Sequence, residues 1–475
     1  MVAVKKIALC LGICLGAVVP LFAEKENVND TIHLEEVVVT ATMNKVNLRN
    51  VPMSVSIVSA AEIESRLQPS LLPLLAEEVP GLFITQRGVM GYGVAEGAAG
   101  NMNIRGIGGT PTSGVLILID GNPQYMGLMG HPLADSYQSM MAERVEVVRG
   151  PASVLYGSNA MGGVINIITK KQRKDGFHNS VQAMCGSYRT LSTELSSGWK
   201  KDRFHANAHF GYNRSDGHRK NMDFEQWNGY GKAGYDFSNN WTAFIDLNLS
   251  NTDTSNPGTV SSPINDNDAD ITRGMTSLVI ENEYHRTSGA VKFFYNFGSH
   301  KINDGYADGA QPKPYRFRSN DHMLGFTATQ SYVFFSGNTT TAGFDFKRFG
   351  GKAWNAYPNK ADNVQLADVH LNNIAGYVNI QQNALNNKLT MNAGIRLDHH
   401  EVNGSEWIPQ VGLSFTPTAS TVLKAIVGKG YRNPTIREMY IFPPQNPDLK
   451  PERLLNYELS ILQALLNNKM KIELN

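Results

Sequence analysis

The sequence predicts a transmembrane β-barrel preceded by a small α+β domain, and three observations carry this prediction. First, the chain of 475 residues is rich in glycine and aromatic residues but only 18% charged, as in proteins built from many strands and turns. Second, from residue 177 onward, segments of about ten residues alternate apolar and polar side chains. Third, the connections between these segments alternate between short and long. The formal net charge of +1 argues against a strongly basic nucleic-acid binder, and no nucleic-acid partner is expected.

The first 23 residues, 1–23, are typical of a leader for export. Two lysines precede a short apolar core, and Ala23 ends a small-residue cleavage site. A transmembrane anchor is the alternative, but the core is short and ends at Pro20. Removal of the leader would leave Cys185 as the single cysteine, which excludes an intramolecular disulfide. No later run reaches about 18 apolar residues, so a membrane span would have to be a closed barrel.

Residues 24–50 form a polar tether interrupted by one apolar run, "EEVVVTATM", from Glu35 to Met43. Three consecutive valines favour an extended strand. Because no neighbouring run is available for pairing, the strand is typical of segments that add to the sheet of another protein. A first edge strand of the following domain is the alternative.

Residues 51–176 predict the small α+β domain. In "SAAEIESRL", Ser59 is a helix N-cap and Glu62 stands at the capping-box position. "SLLPLLAEEVPG" predicts a second short helix. "NMNIRGIG", "GVLILIDGNPQ" and "ERVEVVRG" predict strands, with a tight turn at Asp120-Gly121.

Residues 177–475 predict the barrel, with about 15 strands. In "LTMNAGIRLD", from Leu389 to Asp398, apolar residues occupy one face and polar or small residues the other. "WTAFIDLNL" and "RFHANAHFGYN" repeat this pattern. A barrel in lipid has short periplasmic turns and long outer loops. Short connections occur at 238–240, 385–387, 416–420 and 466–468, and longer polar segments near 214–228, 251–272, 299–318, 350–372 and 431–454.

Three stretches carry a resemblance to a known family. "NIRGIGG…VLILIDGNPQ…ERVEVVRGPASVLYGSNAMGGVINIITKK" resembles the plug domain of TonB-dependent outer-membrane receptors, and "EEVVVTATM" resembles their TonB box. "GYRNPTIREMY…NPDLKPERLLNYELS" resembles a barrel segment that they share. The resemblance implies a 22-stranded barrel that encloses the plug. Since the last run stops within a strand and Asn475 is not the family's aromatic end residue, about seven strands are expected to be missing.

The resemblance also assigns roles to residues. TonB, an inner-membrane protein that uses the proton-motive force, would pair with a strand formed by Val37, Val38, Val39, Thr40 and Ala41. Contacts between plug and barrel are expected at Arg105, Glu143, Arg144, Glu146 and Arg149, with Arg396 and Asp398 among the lumen-facing partners. These contacts should be polar, so that the plug is held yet releasable. The alternative is a set of ordinary exposed salt bridges.

Substrate contacts are expected on plug segments that face outward in the family. The candidate residues are Tyr92, Tyr125, Met126, Met129 and His131. Methionine and histidine suit soft or borderline metals, including Cu(I) and haem iron, but the methionines could equally fill apolar space. Haem receptors of this family carry a histidine between two motifs that correspond here to "YRNP" and "NPDL", and this sequence has none there. Tyrosine and arginine at the outer mouth suit anionic catecholate iron chelates, and they equally suit cobalamin and lipopolysaccharide contacts.

The sequence therefore predicts a TonB-dependent receptor in the outer membrane of a Gram-negative bacterium. Its expected activity is active uptake of a scarce metal chelate, most directly a ferric siderophore, with haem, cobalamin or copper as alternatives. A passive porin or adhesin barrel is the alternative from a different class. The expected partners are TonB, outer-membrane lipid and the chelate, for a monomeric barrel without a resident cofactor. The sequence contains no GxSxG or HExxH motif, so an enzyme is not expected.

Overall fold

The structure is a computed structural model that describes residues 37–475 apart from 67, 87, 89, 93–99, 110 and 468. The predicted leader, residues 1–23, and residues 24–36 of the predicted tether lie outside the described residues. So does part of the outward plug segment that contains Tyr92. In the part of the chain that is described, no helix is both long and apolar enough to cross a membrane.

The N-terminal α+β domain is called the plug below. Its main sheet has the order β3-β8-β9-β6-β7, in which β6 and β9 are parallel and the other neighbours antiparallel. The strands are β1 (Val37–Val38), β2 (Val46–Asn47), β3 (Ser54–Val58), β4 (Leu82–Ile84), β5 (Met102–Ile104), β6 (Val115–Ile119), β7 (Asn122–Pro123), β8 (Ala142–Arg149) and β9 (Gly163–Thr169). The helices are α1 (Ala60–Arg66), α2 (Leu71–Glu78) and α3 (Ser153–Tyr156).

The local signals in the plug are confirmed. The Ser59 backbone N–H and hydroxyl both donate to Glu62 Oε2 at 2.7 Å, and the Glu62 N–H donates to Ser59 Oγ at 3.4 Å, which completes the capping box. Asp120 and Gly121 have φ values of 47° and 80°, as a type I′ turn requires. Both predicted helices and the three predicted strands form.

A 15-stranded antiparallel sheet, called the wall below, follows the plug and confirms the expectation of about 15 strands. Each wall strand pairs with the next along the chain. The strands after β9 are β10 (Gly176–Gly186), β11 (Thr190–Lys201), β12 (Phe204–Ser215), β13 (Phe224–Asp236), β14 (Trp241–Thr254), β15 (Ile264–Asn265), β16 (Asp268–Glu283), β17 (Thr287–Asn303), β18 (Tyr306–Ala307), β19 (Arg316–Tyr332), β20 (Asn338–Ala356), β21 (Val364–Ala384), β22 (Leu389–His400), β23 (Gly404–Thr418), β24 (Thr421–Arg432), β25 (Glu452–Leu465) and β26 (Met470–Leu474). Only β15 and β18 lie outside the wall, where they pair with each other, and a π-helical turn spans Arg437–Ile441.

The alternation predicted for the wall strands is confirmed in β22. Ile395 is 47% exposed on the outer face, whereas its neighbour Arg396 is fully buried on the inner face. The same alternation of exposed and buried residues runs along β14 and β23. The wall therefore has an apolar outer face and a polar inner face.

The wall strands are longer than the expected ten residues. β20 has 19 residues and β21 has 21, so only residues 357–363 connect them in place of the long loop predicted at 350–372. Beyond the apolar band both faces of a strand contact polar surroundings, so the alternation disappears although backbone pairing continues. Periodicity therefore detects only the middle of each strand. The two ends of the wall are called the short-turn end and the long-loop end below.

The plug packs against the inner face of the wall, whose end strands β10 and β26 are not paired with each other in the described part of the chain. Hydrogen bonds and ion pairs reach the plug from many of the wall strands between β12 and β26, for example Asn207 to the Lys170 carbonyl and Arg149 to Glu473. The main sheet of the plug is apolar on both faces, since all five residues of β6 are buried. One face packs on α1 and α2. The other packs on wall residues Tyr377, Ile408, Ile426 and Tyr431.

The expectation of purely polar contacts between plug and wall is therefore wrong for this second face. The physical reason is the composition of β6, "VLILI", whose alternate apolar side chains point to opposite sides. Helices α1 and α2 cover one side, and the short helix α3 shares the other side with the wall. Apolar wall residues complete the cover.

We expect Ser59→Ala to accelerate hydrogen exchange of the α1 amides about fivefold, because loss of an N-cap costs about 1 kcal/mol. Hydrogen-exchange mass spectrometry of the peptide that covers α1 measures this effect. Ser65→Ala is the control, since the Ser65 hydroxyl donates to the Glu62 carbonyl within the helix. Equal exchange in the two variants would contradict the capping box.

Candidate functional site

The segment Val37–Ala41, predicted as the TonB box, lies folded against the plug. Val37 and Val38 pair antiparallel with Asn47 and Val46 and form a short hairpin, called the N-terminal hairpin (residues 37–47) below. Val37 is 49% exposed, whereas Val38 is fully buried beside the second face of the plug sheet. The segment thus forms a two-stranded sheet with β2 and is not a strand of the main plug sheet.

Thr40 is bound by three buried plug residues, and this arrangement is called the Thr40 lock. The Thr40 N–H donates to Glu146 Oε2 at 2.8 Å, and the Thr40 hydroxyl donates to the same oxygen at 2.7 Å. The Val39 N–H also donates to it, at 3.0 Å. The Tyr156 hydroxyl donates to the Thr40 carbonyl at 2.8 Å, and Asn166 Nδ2 donates to Thr40 Oγ1 at 2.9 Å.

The fold of the plug places the three partners of Thr40 together. Glu146 on β8 stands directly opposite Asn166 on β9, so their side chains share one face of the sheet. Arg144 Nε donates to the second Glu146 oxygen at 2.9 Å. Burial raises the pKa of Tyr156 well above its ordinary value, so its hydroxyl stays protonated and donates. The buried carboxylate thus has the donors it needs only while the hairpin is in place.

The five residues predicted to join plug and barrel have three kinds of partner. Arg105 pairs with Glu458 on β25 at 2.6 Å, and Arg149 pairs with Glu473 on β26 at 2.8 Å. Glu143 pairs instead with Arg173, in the segment between β9 and β10, at 2.6 Å.

The other two residues of the predicted set, Arg144 and Glu146, bind each other and the N-terminal hairpin. Glu146 therefore faces the predicted TonB box. Thr40 and Glu146 lie 106 positions apart in sequence, and no local pattern connects them.

The expected wall partners Arg396 and Asp398 bind each other, and Arg396 also contacts helix α3 of the plug. Arg396 is fully buried between Asp345 at 2.6 Å and Asp398 at 2.9 Å. Its Nη1 lies 3.5 Å from the Leu155 carbonyl of α3. Gly157, with φ of 75°, allows the chain to pass close to this ion-pair cluster, since a Cβ there would lie 3.0 Å from the Arg396 guanidinium.

Asp120, predicted only as a turn residue, also joins the plug to the wall. Lys232 Nζ donates to Asp120 Oδ2 at 2.9 Å, and Lys292 Nζ donates to the Asp120 carbonyl at 2.6 Å. Burial alone would raise the pKa of Asp120, but the Lys232 ammonium and hydrogen bonds from Thr169 lower it overall. The sequence signal that could have indicated this contact is a lysine at an inward-facing position of each strand, Lys232 on β13 and Lys292 on β17.

Of the predicted substrate residues, three are buried and two are partly exposed: Tyr92, Met126 and Met129 are buried, and Tyr125 and His131 are partly exposed. Met129 also lines a cavity of about 400 Å³. The Tyr92 N–H donates to Asp135 Oδ1 at 2.9 Å. Met126 and Met129 belong to an apolar cluster that includes wall residue Phe317 and Met439 of the π-helical turn. Their position matches the alternative in which the methionines fill apolar space.

Tyr125 and His131 lie next to the same plug segment. The Tyr125 ring meets Phe349 edge-on, with ring centroids 6.5 Å apart. His131 Nδ1 lies 3.0 Å from the Pro132 carbonyl, and burial lowers the pKa of His131 to about 4, so the imidazole is neutral near pH 7. Among the described residues, no group of three or more His, Cys, Asp or Glu side chains could hold a metal ion.

Two family models match the chain. The model described as the TonB-dependent receptor plug domain matches residues 47–164, and the model described as the TonB-dependent receptor-like β-barrel matches residues 179–473. A vitamin B12 transporter, BtuB, of Vibrio vulnificus is 25% identical over 97% of this chain and 72% of its own length. An iron-regulated outer membrane virulence protein of Vibrio cholerae is 28% identical over 90% of this chain. The chain spans 66% of that relative's length.

Solved structures share the fold. The ferric enterobactin receptor of Pseudomonas aeruginosa superposes with a TM-score of 0.68 at 19% identity, over 87% of this chain and 69% of that chain. The alcaligin outer-membrane receptor FauA of Bordetella pertussis gives a TM-score of 0.70 at 15% identity, over 92% and 72% of the two chains.

We expect Tyr156→Phe to loosen the Thr40 lock, because the Thr40 carbonyl loses its buried donor. An unsatisfied buried acceptor costs about 1–3 kcal/mol, so the Val39 and Thr40 amides should exchange roughly tenfold faster. Tyr137→Phe is the matched control, since it removes a buried hydroxyl that donates to the Gln124 carbonyl at 3.3 Å, on another part of the plug. Unchanged exchange of the hairpin in Tyr156→Phe would contradict the lock.

The Asp120 contact predicts a pH-dependent contribution to stability. Because the folded pKa of Asp120 lies below its unfolded value, the contribution is complete above an ordinary Asp pKa of about 4 and is lost as the pH falls through the folded pKa. Asp120→Asn should therefore lower the melting temperature of the detergent-solubilised protein at pH 7 more than at pH 3. Asp175→Asn removes an exposed pair with Lys200 and should change little at either pH. An equal loss in Asp120→Asn at both pH values would refute this assignment.

Proposed function

The chain belongs to the TonB-dependent receptor family, and from this premise we propose that it is an outer-membrane receptor of a Gram-negative bacterium for TonB-driven uptake of a metal chelate. The Vibrio relatives are named as an outer-membrane protein and as a transporter. The apolar outer face of the wall supports contact with outer-membrane lipid. No catalytic activity is part of this proposal.

The observation that carries the proposal is the Thr40 lock. TonB would bind the segment Val37–Ala41 by adding a strand, which requires free backbone groups. In the described conformation one carboxylate, Glu146, holds the N–H groups of both Val39 and Thr40. A hydrogen bond to a charged group contributes about 1.5–3 kcal/mol, so the segment is restrained but can be displaced by a competing strand.

The lock also provides a path for force. Thr40 is attached to β8 through Glu146 and to β9 through Asn166, and both strands lie inside the main plug sheet. Tension applied upstream of Val37 would reach the centre of the plug before it reaches the wall. This geometry suits a segment whose purpose is to move or loosen the plug.

A ferric siderophore is the proposed substrate class. The relative with 28% identity is named as iron-regulated. Burial of Met126 and Met129 in an apolar cluster disfavours direct coordination of copper or haem iron by these residues. Cobalamin is the second candidate, because the relative that matches 97% of the chain is named as a vitamin B12 transporter.

Growth of a receptor-deficient host tests the function. We expect the protein to restore growth on a ferric siderophore under iron limitation, and parallel cultures test haem, cobalamin and limiting copper. Val38→Pro should abolish growth while surface binding of the labelled chelate remains, because proline cannot donate a backbone hydrogen bond. Val38→Ala keeps the backbone N–H and is the control. Growth restoration by Val38→Pro, or by the unmodified protein in a host without TonB, would refute the proposal.

A further inference from the structure

Four basic side chains surround Gly350 on the outer face of the wall, near the long-loop end. Gly350 on β20 stands directly opposite His322 on β19 and His370 on β21. Arg348 and Lys352 lie two positions away on either side along β20 and share its face. We propose that this group, called the Gly350 cluster, binds a phosphate group of a lipid in the outer leaflet of the outer membrane. The proposal rests on the proposed outer-membrane location and is independent of the transported substrate.

The two histidine rings of the cluster meet across Gly350. Their centroids lie 4.8 Å apart and their planes are inclined by 34°. Because glycine has no side chain, rings from the two flanking strands reach each other over the strand between them. Both histidines are partly exposed, and neither ring has a hydrogen-bond partner among the described residues. Their ring N–H groups are therefore free to donate to a ligand.

Arg348 supplies a positive charge that the protein does not neutralise. Its side chain is exposed, and no described residue forms a hydrogen bond or an ion pair with the guanidinium. Lys352 Nζ lies 3.9 Å from Asp368 Oδ2, which is longer than a hydrogen bond. Glu401 accepts from the N–H and Nδ2 of Asn372, both at 2.8 Å. The cluster thus carries one uncompensated charge on a group that binds phosphate with two parallel hydrogen bonds.

The height of the cluster on the wall matches the level of lipid head groups. Outer-face residues of β21 are apolar or glycine from Ile374 to Ile380, and polar Asn372 and Gln382 border this band. Ten positions separate the two polar residues, and a strand tilted by about 40° covers roughly 25 Å over that distance, the usual height of a lipid-facing band. His370 lies two positions beyond Asn372, on the long-loop side. Since short turns are periplasmic in such barrels, this side faces the outer leaflet.

Apolar side chains continue directly below the cluster. Leu324 is exposed and stands opposite Arg348 on the neighbouring strand. Phe344 and Ile374 are exposed on the next two strands. One lipid can therefore place its phosphate on the cluster and its acyl chains on the band. A free phosphate ion would use the cluster alone, so the continuity of the two surfaces favours a lipid.

The charge of the outer face changes sign around the wall. One row of directly opposed outer-face residues crosses five strands from β13 to β19 and consists of Glu225, Asp253, Asp270, Lys301 and Arg318. Carboxylates occupy its first three positions and cations its last two. The Gly350 cluster continues the cationic side. Lipid phosphate is therefore attracted to the sector from β17 to β21 and repelled by the sector from β13 to β16.

Lipid binding by the purified full chain in detergent tests the site. Native mass spectrometry measures binding of diphosphoryl lipid A, and we expect Arg348→Gln with Lys352→Gln to weaken it at least about tenfold, since both cations are lost. Lys201→Gln with Lys388→Gln removes two exposed cations at the short-turn end and is the matched control. Equal binding by the two double variants would overturn the proposal.

Two further ligands separate a lipid site from a site for a soluble anion. Dephosphorylated lipid A should bind at least about tenfold more weakly than the diphosphoryl form, because the charged group is missing. A large excess of inorganic phosphate should leave diphosphoryl lipid A bound, because the apolar band holds the acyl chains. Full displacement by inorganic phosphate would overturn the lipid assignment.

Histidine footprinting of the unmodified protein makes the test independent of how the variants fold. Diphosphoryl lipid A should slow the reaction of His322 and His370 with diethyl pyrocarbonate severalfold, whereas His285, exposed in a short turn, should react unchanged. Unprotected His322 and His370, or equal protection of all three histidines, would refute the site. None of these measurements involves transport, so a failure of the proposed uptake function would leave their outcome unaffected.

Discussion

The carboxylate of Glu146 is the group on which the organisation of this molecule depends. It lies fully buried inside the plug, where an ion without donors is strongly unfavourable, and three of its hydrogen bonds come from Val39 and Thr40. The N-terminal hairpin therefore completes the plug as well as resting on it. Removing the hairpin uncovers one face of the sheet and leaves the carboxylate with Arg144. A movement of the N-terminal hairpin therefore changes the hydrogen bonding of Glu146 inside the plug.

The plug is held by two kinds of contact that respond differently to force. Apolar side chains pack around Tyr377 and Ile408 of the wall and yield gradually as the surfaces slide. Ion pairs at Asp120, Arg105 and Arg149 are directional and break over a short distance. A mixture of the two gives a domain that stays in register with the wall at rest and can still be displaced. The expectation of wholly polar contacts missed the first kind.

Local features of this protein were readable from sequence, and long-range partners were not. The alternation in β22, the Ser59 capping box and the Asp120 turn each depend on neighbours within a few residues. The valines predict an extended segment at Val37–Ala41, but its contact with Glu146 joins residues that periodicity cannot relate. Strand ends were missed because alternation fades where both faces are polar. The burial of Met129 depends on the π-helical turn, which lies some three hundred residues away in the chain.

The double-sided plug sheet has a consequence for biogenesis. With β6 apolar in every position, a plug made without the wall would expose one apolar face of its sheet to water. Its second face is covered by the wall and by the N-terminal hairpin. The native packing of this face therefore requires wall strands that lie later in the chain.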